Sequence, residues 1–149
     1  MALYKLLHIL SVVIWVGGMF FAYMILRPSI GQLFKLPERM RLWSRVFDRF
    51  FKWVWLSVLL LLSTGFYMIY LYGGMAAMPL FIHLMMFSGI VMMLIFVYLF
   101  FGVYVHFDQY VEEKEWHLAE EKLAIMRRLV ALNLAIGLLT IAVAIIGRY

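Results

Sequence analysis

The sequence predicts an all-α integral membrane protein: a four-transmembrane-helix up-down bundle with both termini outside. Three observations predict it. The chain is 67% hydrophobic and only 14% charged, with a mean hydropathy of +0.99, whereas a soluble domain carries roughly 25% charged residues. Four apolar stretches each approach the ~20 residues that cross a bilayer. Of the 13 Lys and Arg residues, all but Lys5, Lys52 and Arg148 lie in the connections between those stretches.

The elements follow in order. Segment one covers about 3–26, with Lys5 and His8 its only ionisable groups, and Arg27-Pro28 is expected to end it. Segment two covers about 51–72 and ends in Gly73-Gly74. Segment three covers about 79–105, with Pro79 suited to a first helical turn. Segment four covers about 129–146. None alternates in the manner of a strand, so helices are expected throughout. The 149 residues fit one domain.

Charge sets the expected topology. Between segments one and two lie Lys35, Arg39, Arg41, Arg45 and Arg49, and between three and four lie Lys114, Lys122, Arg127 and Arg128 among six acidic residues. The short 73–78 connection carries no charge. Because Lys and Arg in short loops mark the cytoplasmic side, both long connections should lie inside and the short turn outside. The net charge of +5 is thereby explained by a lipid bilayer partner in an inner (plasma) membrane, and nucleic acid is not expected. The stretch 109–128 reads as an amphipathic helical extension of segments three and four, with Trp116 near the headgroups. The absence of Cys excludes thiolate ligands and iron–sulfur sites.

An imidazole inside a span is costly and points to function. His8 and His83 each lie about one turn inside segments that run in the same direction, so their depths should match. In an up-down bundle these two helices are diagonal, and facing helices are where bundles hold cofactors. A haem b iron with His8 and His83 as axial ligands fits that arrangement. Ser11, Trp15 and Gly18 share the His8 face at helical spacing; the small residues would admit a flat macrocycle, and Trp15 would pack on its edge. Copper is the alternative, because thioethers with imidazoles favour Cu(I) and Met75 and Met78 flank the outer turn just before His83. His106 and His117, beside acidic residues, read as solvated. Asn133, Gly137 and Thr140 form one stripe on segment four, as expected of helix–helix contacts. The spans hold no carboxylate pair or nucleophile–base set, so any redox chemistry would be the cofactor's, exchanged with a redox partner or quinone. So small a bundle is also compatible with a homodimer.

His8 followed by Trp15-Val16-Gly17-Gly18, then Arg27-Pro28, Leu62-Ser63-Thr64-Gly65, an early His83, and Asn133-Leu134 with Gly137 resembles the CopD family of copper resistance membrane proteins. More distantly it resembles the HemJ-type protoporphyrinogen oxidases, four-helix membrane proteins that bind b-type haem. The resemblance implies a compact helical bundle with His8 and His83 at the families' histidine positions. Relatives often carry Lys two residues after the segment-three His, and here that position is Met85. That departure tells against an oxidoreductase of the HemJ type and leans toward CopD.

Overall fold

A computed structural model describes residues 1–149. Four rods make up the fold: α1 (Ala2–Leu33), α2 (Leu36–Leu71), α3 (Leu80–Glu112) and α4 (Trp116–Ile146), each long and apolar enough to cross a membrane. At ~1.5 Å per residue, 31 to 36 residues reach well beyond a hydrocarbon core of about 30 Å. The excess lies at the end that carries the basic residues.

The rods are longer than the sequence suggested, and proline is the reason the estimate fell short. Arg27-Pro28 does not end α1. The six residues Phe21–Leu26 form a π-turn, and the Arg27 N–H bonds the Ala22 carbonyl five residues back. One residue is thereby inserted just before Pro28, which lacks an N–H to donate, and the helix continues to Leu33. Only Phe34 and Lys35, both extended, separate it from α2. Pro37 then occupies the first turn of α2, with Glu38 complementing the helix N-terminus. A second π-turn, Leu99–Tyr104, lets α3 run on to Glu112.

Two tight turns use the same capping geometry. After α2, Gly74 N–H bonds the Ile69 carbonyl and Gly73 N–H the Tyr70 carbonyl, with Gly73 at φ 97°. After α3, Glu115 N–H bonds Tyr110 and Lys114 N–H bonds Val111, with Lys114 at φ 59°. Both are Schellman caps, whose left-handed residue is usually glycine. The extension of α3 and α4 beyond the spans agrees with the amphipathic reading of 109–128, and Trp116 is half-buried with the Arg41 guanidinium 5.1 Å from its ring centre.

Helix α1 packs chiefly on α2, and α3 on α4. Small residues set the closest approaches: a Cβ at Gly18 would run into the Phe50 ring, and one at Gly137 would lie 2.9 Å from Val16. The core sits toward the basic end. Trp43, Phe47 and Phe51 stack along one stripe of α2 with ring centres 5.0 and 5.1 Å apart. Phe96 and Tyr104 of α3 meet Phe51 edge-on at 5.5 and 4.9 Å. Polar cross-ties join the rods: Asn133 Nδ2 donates to the Met92 carbonyl at 3.1 Å, Thr140 and Ser88 hydroxyls lie 2.8 Å apart, and Ser44 donates to Asp108. The predicted stripe on α4 therefore faces its neighbours, Asn133 and Thr140 reaching α3 and Gly137 reaching both α1 and α3.

Candidate metal centre

His8 sits on α1 one and a half turns from the chain's start, and α2 holds it. Its Nδ1 is 2.9 Å from the Thr64 hydroxyl oxygen. That hydroxyl has one proton, which it donates to the Leu60 carbonyl one turn back. The Thr64 oxygen is therefore the acceptor, and His8 carries its proton on Nδ1. Gly65 makes room for the ring: a Cβ there would be 3.5 Å from His8 Cε1.

His83 lies in the first turn of α3, half-buried. Its Nδ1 is 3.1 Å from the Pro79 carbonyl, which can only accept, so this ring is also protonated at Nδ1. Both imidazoles thus present Nε2 as the free lone pair. Metal-bound histidines are commonly held this way, with the other ring nitrogen donating to an oxygen that fixes tautomer and orientation. No hydrogen bond joins the two histidines.

Their surroundings are unlike the rest of the bundle. No side chain is fully buried on α1 before Ser11, on α2 after Thr64, on α3 before Met92 or on α4 after Gly137. The short turn Met75–Ala77 before α3 is a single 3-10 turn, in which residues three apart eclipse. Met75 and Met78 are half-buried while Ala76 and Ala77 are exposed.

The three other residues expected beside a cofactor are engaged in packing. Ser11 is buried and donates to the Leu7 carbonyl of its own helix. Trp15, 3% exposed, meets the Phe96 ring edge-on at 6.1 Å. Gly18 receives Phe50 of α2. His106 and His117 are exposed. The chain assembles no group of three or more His, Asp or Glu with metal-holding geometry, so the two histidines stand without a carboxylate partner.

A model of the family described as Copper resistance protein D, CopD, matches residues 44–146. The chain belongs to the CopD family. The match takes in His83, Met75, Met78 and the α4 stripe and begins after His8. No curated protein and no solved structure matches the chain. This CopD-family chain is accordingly a multi-pass membrane protein related to copper resistance.

Sequence reasoning gave Thr64 no role beyond its place in the Leu62-Ser63-Thr64-Gly65 motif. Its role in orienting His8 depends on the rotation of α2 against α1. The signal available was Thr64-Gly65, an acceptor beside a residue small enough to admit a ring. The cluster of Arg27, Arg39 and Arg127 described below was also missed, because 27–50 had been read as a connection.

Proposed function

We propose that this CopD-family protein holds a redox-active metal centre at the uncharged end of its bundle, with His8 and His83 as ligands and haem b as the bound group. The observation that carries the reading is the matched state of the two rings: each has Nδ1 tied to an oxygen and Nε2 available. The part of the bundle around them is the part its own side chains leave without a buried core, which suits a bulky planar group. Bound there, a haem would supply one-electron transfer. Thr64 and the Pro79 carbonyl would hold the imidazoles in tautomer and orientation, and the apolar walls would exclude water and tune the potential. The protein would sit in the inner membrane, this end outward by the distribution of Lys and Arg, exchanging electrons with a redox protein or a quinone.

The visible spectrum of the detergent-purified protein, oxidised and dithionite-reduced, tests this. A Soret band with a sharp α band on reduction, lost in both His8→Ala and His83→Ala, is expected. A featureless spectrum after haem has been supplied would exclude haem.

Copper is the second reading, favoured by the family and by the half-buried Met75 and Met78 just before His83. Two thioethers and two imidazoles make a set that selects Cu(I). Competition with a Cu(I) chelator would then show binding that weakens in the Met75→Ala/Met78→Ala variant, without any visible band.

A further inference from the structure

At the basic end a cavity of about 210 Å³ opens between α1, α2 and α4. It lies nineteen residues along α1 from His8, about 28 Å at ~1.5 Å per residue, which is close to one hydrocarbon thickness. The cavity is therefore at the opposite headgroup level from the histidines. Three guanidinium groups line it, Arg27, Arg39 and Arg127, against one carboxylate, Glu120. Ala22, Gly31 and Ala124 provide the space, and Trp43 and Val130 belong to its apolar floor.

The cations are poorly neutralised. Arg39 is 3.7 Å from Glu120, too long for a hydrogen bond, and its Nε is buried without any partner. Arg27 spends its Nε on the Tyr23 carbonyl at 3.2 Å and stacks over the Tyr23 ring at 4.4 Å. Arg127 makes no ion pair. A buried donor left unpaired is costly, and converging guanidiniums match the geometry of phosphate oxygens. The volume is below that of a drug-sized pocket and suits a single phosphate with a short polar attachment.

We propose that this cavity is a binding site for a phosphate group, supplied by an anionic phospholipid headgroup or by a free phosphate. Basic pockets between transmembrane helices at the cytoplasmic surface commonly take lipid headgroups. Here the apolar floor beneath a cationic rim continues that logic to the glycerol and upper acyl chain.

The thermal unfolding midpoint of the full chain in nanodiscs tests the proposal. The probes are phosphatidylglycerol added to phosphatidylcholine and, in pure phosphatidylcholine, inorganic phosphate against chloride at matched ionic strength. Wild type is expected to gain stability with at least one probe. Arg39→Gln and Arg127→Gln should each lose more than half of that gain, Glu120→Gln should enlarge it, and Arg49→Gln, an exposed residue outside the cavity, should keep it. Gly31→Phe fills the space while preserving every charge; a Cβ there meets nothing within 4 Å, so this variant remains informative if the arginine variants fail to fold. It too should lose the gain. A shift with phosphatidylglycerol alone assigns the lipid as source, and one with inorganic phosphate assigns the free anion. No shift with either probe, or an equal loss in Arg49→Gln, overturns the site.

Discussion

At the basic end of the bundle Phe107 and Met126 are 0% exposed, and rings from α2 and α3 interlock over several turns. At the histidine end the same four helices bury nothing fully beyond Ser11, Thr64, Met92 and Gly137. The basic end carries most of the charge and reaches beyond the hydrocarbon core, so there apolar faces are buried away from water, whereas the histidine end lies within the spans. In lipid, apolar residues gain little by meeting each other, and association depends on close packing and cross-helix hydrogen bonds. One end invests in packing. The other holds two oriented imidazoles and leaves the space around them to lipid, to a bound group or to another chain.

The sharpest way to break that comparison is to cut into each end. Phe107→Ala should lower unfolding stability by about 3 kcal/mol, because a fully buried ring leaves a cavity. Phe87→Ala, on the same helix at the histidine end and 68% exposed, should change it by less than about 0.5 kcal/mol. Equal losses in detergent unfolding would abolish the distinction.

Thr64→Val keeps the size of the side chain and removes the oxygen that orients His8. Loss of such an outer partner typically weakens metal binding about 10- to 100-fold, so titration of the bound group should show that drop with little change in stability. An unchanged affinity would leave His8 outside the site. Gly18→Ala should behave in the opposite sense. Its Cβ would press on Phe50 and cost about 1 kcal/mol by overpacking, while the visible spectrum stays as in wild type. A shifted spectrum would return Gly18 to the cofactor's wall.

The smallest effect belongs to the turn after α3. Lys114 pays the steric cost of a left-handed backbone that glycine avoids, so Lys114→Gly should raise stability by about 1 kcal/mol. Its partner turn at Gly73 already has the favoured residue, and Gly73→Ala should lower stability by a similar amount.

Much of this fold was legible in the sequence because hydropathy over twenty residues has few alternative explanations. The spans, the α4 stripe and the gathering of cations in the connections between spans all follow from residue type and period. Pro28 was misread as a stop because a proline breaks an α-register, whereas the π-turn before it changes the register. The cavity was hidden by the same misreading. Arg39, Trp43 and Phe47 recur every four residues, and on a helix they share a face; assigned to a loop, they share nothing. His8 and His83 could be picked out as costly residues, but the proton on Nδ1 depends on which oxygen the neighbouring helix or preceding turn brings to each ring.

The π-turns in α1 and α3 give the molecule a form of modularity. An extra residue turns everything after it by about 100° relative to an uninterrupted α-helix. In α1 that turn lies between His8 and Arg27, so the angular settings of the two ends are uncoupled along a single rod. Deleting one residue from Phe21–Leu26 would rewind the lower half, swing Arg27 out of its cavity and leave His8 on Thr64. An insertion of one residue is thus an inexpensive evolutionary dial, able to re-aim one membrane face of the protein while the other keeps its alignment.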